Sequence, residues 1–215
     1  MQKPIQLRYI TKEFIAQFLP EDPVILEAGA HKGKDTLALH AQWPLSTIYA
    51  FEPVPHLYEK LHSAVCAIPS IHCYQVALSD QIGISTFYES TGKIDAASSL
   101  LAPHDYFDDK PIQFTQIEVA TTTIDSWAQE NNVQKIDCLW LDLQGGELNA
   151  LKAATSLLHT IKVIHTEANL IERYKGSPLY GELKEWLESY GFEVVAESFY
   201  HGSWGNVLFR NKTYQ

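Results

Sequence analysis

Val24-Ile25-Leu26-Glu27-Ala28-Gly29-Ala30-His31-Lys32-Gly33 is the stretch that decides the fold. A short apolar run enters, an acid closes it, and two glycines bracket the residues between strand and helix. Asp35 to Trp43 then has helical character and stops before Pro44. An apolar run bounded by turn residues predicts a buried strand. The glycines predict a sharp strand-to-helix turn where the backbone can approach a ligand with no Cβ in the way. One strand, one tight turn and one helix make the first unit of an α/β fold.

The same alternation extends outward from this unit. Upstream, Thr11 stands where an N-cap belongs, and Phe14, Ile15, Phe18 and Leu19 follow at helical spacing. Pro20 and Pro23 end that segment, so residues 1–22 are expected as an N-terminal helical extension. Downstream, Ser46 to Phe51 predicts a second strand, Pro55 to Val65 a helix and Ile71 to Leu78 a third strand. Ile82 to Tyr88 alternates as an added strand or hairpin arm. Ile136 to Leu141 is nearly continuous in apolar residues, as a strand covered on both faces should be. Glu147 to Leu158 reads as a helix, Ile161 to His165 as a strand, and Leu179 to Tyr190 as a helix closed by Gly191. Phe192 to Phe199 and Gly205 to Arg210 finish the chain as two strands with no helix between them, so they pair antiparallel or lie apart. The whole predicts one domain over residues 1–215, a mostly parallel sheet with helices on both faces. Glu89 to Gln113 holds Gly92, Pro103 and Pro111 without periodicity, and a loop of that length is expected to be a lid or substrate-binding excursion.

Composition narrows the partners. Of 215 residues, 46% are hydrophobic and 20% charged, an ordinary globular balance. Lys and Arg number 16 against 26 acids, a net charge of -10, which argues against a nucleic-acid partner. No apolar run reaches the roughly 18 residues of a membrane helix, and the first residues lack a signal-peptide core. Cys66, Cys73 and Cys138 lack CxxC spacing and sit among apolar neighbours, as buried free thiols of a reducing compartment would. A soluble, cytoplasmic protein is expected, with no membrane partner.

In open α/β sheets ligands bind at the carboxyl ends of the strands, where strand order reverses. The first turn is not a dinucleotide fingerprint, because His31 stands where the second glycine would be. Nor does a Gly-Lys-Ser/Thr triplet supply a P-loop. The acid–x–Gly–x–x–x–Gly turn is similar to the first motif of S-adenosylmethionine-dependent methyltransferases. A ligand with a sulfonium cation and no phosphate suits Glu27, whose carboxylate would repel a pyrophosphate. A plain tight turn is the alternative. Glu52, followed by Pro53, ends the second strand and can accept hydrogen bonds from both hydroxyls of a ribose. Its alternative is an acid favoured by the start of the next helix.

With these residues named, the chain resembles the FkbM family of methyltransferases from about Val24 to Arg210. The matching pieces are ILEAGAHKG, FEPVP, VALSD (76–80), TTIDSW (122–127) and LDLQGGELNALK (141–152). Two departures stand out. The family usually has Gly-Ala-Asn where this chain has Gly29-Ala30-His31. It often has Glu-Gly-Ala-Glu where this chain has Gln144-Gly145-Gly146-Glu147. The resemblance implies a class I, Rossmann-like sheet of seven strands with an antiparallel C-terminal strand. It implies methyl transfer from S-adenosylmethionine, typically to a hydroxyl oxygen. Gly29 and Gly33 would line the methionine end, Glu52 the ribose, Leu78 and Ser79 the adenine, and Asp142 would face the methyl group. His31 and Pro53, in the same turns, complete the expected cofactor-binding set with Glu27.

Methyl transfer to a hydroxyl needs alignment and a group that takes the proton. Asp142, Glu147 and Glu167 are the catalytic candidates, Asp142 and Glu147 flanking Gly145-Gly146. A capping role for Asp142 and a dipole-stabilising role for Glu147 are the alternatives. Asp142, Glu167 and Asn169 would together make an oxygen set that suits Mg2+. The adjacent-acid pattern of metal-dependent small O-methyltransferases is absent, so no metal is expected. His165 reads as a core histidine, while His104 to Tyr106, His201 and Trp204 lie in loops that could reach a substrate. No Asp/Asn-Pro-Pro-aromatic segment and no Pro-Cys pair is present, which removes amino-nucleobase and cytosine C5 chemistry. The expected acceptor is a small molecule or sugar, methylated on oxygen. An amine N-methyltransferase, a non-catalytic nucleotide-binding protein and an NAD-dependent oxidoreductase stay as alternatives.

Overall fold

The computed structural model describes residues 3–200 and 202–214. Its elements run β1 Ile5–Gln6, α1 Lys12–Ile15, β2 Val24–Ala28, α2 Lys34–Gln42, β3 Thr47–Phe51, α3 Pro55–Val65, β4 Ile71–Tyr74, β5 Ala77–Leu78 and β6 Gly83–Gly92. Then come β7 Ile112–Thr122, α4 Ile124–Glu130, β8 Cys138–Leu141, α5 Glu147–Lys152, β9 Val163–Asn169, α6 Tyr180–Ser189, β10 Phe192–Tyr200 and β11 Trp204–Asn211.

The central sheet has eight strands in the order β1-β10-β11-β9-β8-β2-β3-β4. β2 pairs parallel with β3 on one side and with β8 on the other, so strand order reverses there. That reversal opens a crevice at the carboxyl ends of β2, β3 and β8. β11 inserts antiparallel between β9 and β10. Alternation along β2 sends Leu26 into one apolar layer with Phe51, Trp127 and Leu139, and Ile25 into the other with Leu39, Ile48 and Leu61. Both faces of the sheet are thus buried, which is why these strands read as continuous apolar runs.

The class I architecture holds, with local corrections. The sheet has eight strands rather than seven, because Ile5–Gln6 adds beside Ala196 and Glu197. The N-terminal helix is one turn long behind its Thr11 cap and tightens into a 3-10 turn over Ala16–Phe18. Ile71 to Leu78 is two strands: β4 stays in the central sheet, and β5 leaves it to pair with β7. The arm expected at Ile82 to Tyr88 extends to Gly92 and pairs antiparallel with β7, completing a separate three-stranded sheet. The excursion therefore lies between β6 and β7, with its expected ends, Glu89 to Gly92 and Ile112 to Gln113, inside those strands. β7 alternates too weakly to be read from sequence, and α4 also escapes it, although Thr123 caps that helix by accepting the Ser126 N–H. The helix from Glu147 ends at Lys152, and Leu158 belongs to a 3-10 turn. Of the cysteines only Cys138 is buried; Cys73 is half-buried and Cys66 exposed. Among the described residues no helix is long and apolar enough to cross a membrane.

Candidate active site

The first turn is built from three left-handed residues, Gly29 at φ 85°, His31 at φ 51° and Gly33 at φ 81°. The N–H groups of Gly29 and Ala30 both donate to the Phe51 carbonyl, at 3.1 and 2.9 Å. Glu52 then ties the turn to the next helix. Its Oε2 accepts the His31 N–H and its Oε1 the Val54 N–H, both at 2.9 Å. Glu52 is buried, and burial pushes its carboxyl up to about 7 against those two hydrogen bonds.

A cleft opens at the strand reversal. Gly29, His31, Glu52, Pro53, Leu78 and Asp142 line it, six of the expected residues brought to one place. Four residues of the excursion, Asp95, Ala96, Ser98 and Leu100, line the same cleft. Asp95 latches onto the turn: its carboxylate pairs with Lys32, and its carbonyl lies 3.0 Å from His31 Nε2.

The other expected residues stand outside that lining. Gly33 packs helix on helix, where a Cβ would lie 3.0 Å from Leu61 Cδ1. Ser79 borders a neighbouring depression, its hydroxyl 3.1 Å from Asp80 Oδ1 and its N–H on the Thr122 carbonyl. Glu27 is buried beside Thr36, and burial pushes it up to about 8. Glu147 accepts the N–H groups of Leu143 at 2.8 Å and Gly145 at 3.0 Å, so it closes the turn after β8; burial pushes it to about 7. Glu167 pairs with Arg173 Nη1 at 2.8 Å, and burial holds its carboxyl well above the usual range.

Gln144, Arg173, Tyr174 and Asp95 are site residues that sequence reasoning missed. Gln144 donates to Asp142 Oδ1 at 2.6 Å and to Glu167 Oε2 at 3.1 Å. Arg173 Nη1 also lies 3.3 Å from Asn169 Oδ1. The guanidinium thus holds two of the three groups read as a cation's oxygen set. Among the described residues, no three His, Cys, Asp or Glu side chains are grouped to hold a metal ion. The departure from the family pattern at Gln144 was the one signal available; Arg173 sits in a loop with no spacing to mark it.

Asp142 is exposed to the cleft, and the protein packed around it raises its carboxyl by desolvation, which the Gln144 hydrogen bond and Arg173 oppose. A carboxyl so placed, on an open cleft, can take a proton from a hydroxyl near neutral pH. His165 is a core residue, stacked 3.8 Å on Trp140 and pushed down to about 3 by burial. Tyr106 and Trp204 both face the Arg173 guanidinium, at 5.3 and 4.9 Å. His104 contacts the same segment through its backbone N–H, 3.0 Å from the Arg173 carbonyl, while His201 lies outside the described residues.

A family model described as "Methyltransferase FkbM domain" matches residues 27–194. The chain is 28% identical to the 2-O-methyltransferase NoeI of Sinorhizobium fredii, across 98% of this chain and 88% of that one. It is 22% identical to methyltransferase sdnD of Sordaria araneosa, across 90% and 85%. Among solved structures it is similar to the fibrillarin pre-rRNA processing protein of Methanococcus jannaschii, with a TM-score of 0.54 at 18% identity over 89% of this chain and 67% of that one. It is also similar to M. capricolum TrmK in complex with S-adenosylhomocysteine, at 0.53 and 10% over 94% and 68%. These two likenesses are of fold.

Proposed function

The chain belongs to the FkbM methyltransferase family, and on that premise we propose that it transfers the methyl group of S-adenosylmethionine to a hydroxyl oxygen of a small molecule or sugar. The observation that carries the reading is Glu52. Each of its oxygens accepts one backbone N–H and keeps a lone pair for a ribose hydroxyl, at the cleft wall beside the glycine turn. Leu78 and Phe51 give the same cleft an apolar side suited to adenine. Among the described residues lining the cleft there is no Lys or Arg, which suits a ligand without phosphate.

When bound, the cofactor supplies a methyl group on a sulfonium sulfur. This chain's residues do the rest. Glu52 holds the ribose, the turn from Gly29 to Gly33 accommodates the methionine end, and Asp142 takes the hydroxyl proton as the acceptor oxygen attacks. Glu147 fixes the loop that carries Asp142, and Glu167 anchors Arg173; neither lines the cleft, so both act through neighbours. The excursion would close over the bound pair through Asp95 and Ser98. The 2-O-methyltransferase relative supports oxygen over nitrogen as the acceptor atom. The net charge of -10 supports an acceptor other than nucleic acid, and three unpaired cysteines suit a cytoplasmic setting.

Melting curves with S-adenosylhomocysteine, NAD or no ligand test the cofactor. S-adenosylhomocysteine should stabilise and NAD should not; stabilisation by NAD alone overturns the reading. Methyl-labelled cofactor with a panel of polyols and glycosides then tests the acceptor, with the label expected as an ether.

A further inference from the structure

We infer that Gln144 is a positioning residue that couples seating of the 97–101 segment to the orientation of Asp142, an inference that rests on Asp142 being the proton acceptor of the proposed reaction. The side-chain amide is surrounded on all sides. Its Nε2 donates to Asp142 Oδ1 and Glu167 Oε2, at 2.6 and 3.1 Å. Its Oε1 faces Tyr174 Oη at 2.8 Å and Arg173 Nη2 at 3.4 Å. A flipped amide would set its N–H groups against the Arg173 guanidinium and its oxygen against two carboxyl groups, which favours the orientation seen. Asp142 is thereby held through one oxygen. Among the described residues nothing donates to the other, and Asp142 lines the cleft.

Gln144 reaches the excursion by two routes. Its backbone carbonyl accepts the Ser99 hydroxyl at 2.9 Å, and Ser99 exchanges both backbone hydrogen bonds with Tyr88 of β6. Tyr174 Oη, on the other route, lies 2.9 Å from the Ala97 carbonyl, so its one proton serves either the excursion or Gln144 Oε1. Gln144 also adopts φ 52°, a left-handed backbone that a non-glycine residue keeps only when its surroundings over-determine it. Moving the segment therefore moves the amide, and the amide moves Asp142.

The residue type matters as well. The charged groups facing Asp142 and its neighbours are Glu27 from β2, Asp35 from α2 with Lys12 from α1 paired to it, Glu147 from α5, Glu167 from β9 and Arg173 beyond it. A carboxylate at 144 would add one more acid beside Asp142, Glu147 and Glu167, while an apolar side chain would strand the Arg173 donor.

The test uses the ligand-free protein first. Side-chain carboxyl NMR follows the Asp142 titration, and amide exchange follows Ala97 and Ser99, in wild type, Gln144→Glu and Tyr174→Phe. Gln144→Glu should move the Asp142 titration upward and speed exchange at both amides roughly tenfold or more. Tyr174→Phe, nearly isosteric, should do the same more weakly and carries the test if the first variant does not fold. With cofactor and acceptor, kcat of Gln144→Glu should fall at least about tenfold with its pH profile displaced upward, while KM for the cofactor stays within about threefold. An unmoved Asp142 titration or unmoved exchange in a folded variant overturns the coupling. A wild-type protein that ignores S-adenosylhomocysteine would instead sink the proposed reaction, and the titration and exchange results would still decide the coupling.

Discussion

Gly29 packs against Asp142 so closely that a Cβ built on the glycine would lie 2.1 Å from the aspartate's carbonyl oxygen. The Asp142 N–H donates to the Ala28 carbonyl at 3.0 Å, so β2 and β8 stay paired up to the last residue before each turn. The glycine turn and the candidate proton acceptor are therefore one rigid junction at the strand reversal. In the proposed reaction, cofactor binding and proton transfer would share that backbone contact.

Gly29→Ala should be destabilising for two separate reasons. A Cβ would overlap backbone that cannot swing aside, and the residue sits at φ 85°. Together these should cost roughly 3 kcal/mol or more in urea unfolding. Gly191→Ala is the control, because its φ is 88° but a Cβ there would meet no atom within 4 Å. That variant should lose only about 1–2 kcal/mol, the left-handed penalty alone. Equal losses would show that the Asp142 contact yields.

Glu52→Ala should weaken S-adenosylhomocysteine binding roughly thirtyfold or more, from two lost charge-assisted hydrogen bonds worth about 2–4 kcal/mol. The fold will not be untouched. The same carboxylate holds the N–H groups of His31 and Val54, and stranding them should cost about 1–3 kcal/mol each where they stay dry. Calorimetry well below the melting temperature separates the two effects. Wild-type affinity in the variant would move the ribose contact elsewhere.

Burial raises Glu27 from 4.5 to about 8, so the folded state holds a proton that the unfolded chain has released between those values. Its contribution to stability is therefore fully present below pH 4.5 and is lost as pH rises to about 8. Glu52 and Glu147, each pushed to about 7, act in the same sense. Glu27→Gln removes the titration and keeps the shape. Its melting temperature relative to wild type should climb steadily from about pH 5 to about pH 8. Parallel curves for the two proteins would show that Glu27 is ionised in the fold throughout.

Much of this site was legible because strand ends announce themselves. Glu27, Gly29, Glu52 and Asp142 stand where apolar runs stop, and a parallel sheet gathers such ends at one edge. The sequence was silent on how the acids divide their work. Glu147 and Glu167 look as reactive as Asp142 in one dimension. Only packing shows that Glu147 faces its own loop and Glu167 faces an arginine from a featureless segment. β7 was hidden for a related reason. Its polar residues alternate with apolar ones on each side of Gln116, but Thr115 and Gln116 are exposed in succession and the phase slips there, so no single period runs the length of the strand.

Asp142→Asn should separate chemistry from binding. The residue lies at the carboxyl end of β8, on the cleft, with Oδ1 held by Gln144 and Oδ2 free of described donors. As proton acceptor its loss should lower turnover roughly a hundredfold or more, the range of a positioned general base. S-adenosylhomocysteine affinity should change far less, since Asn keeps the volume and can still accept from Gln144. Chelation should leave wild-type activity unchanged, because Arg173 already holds Glu167 and Asn169. Activity abolished by EDTA and restored by Mg2+ would reassign these oxygens to an ion. Wild-type turnover in Asp142→Asn would make the residue a structural one. The proton would then have to leave through another titratable group that lines the cleft, His31, Glu52 or Asp95.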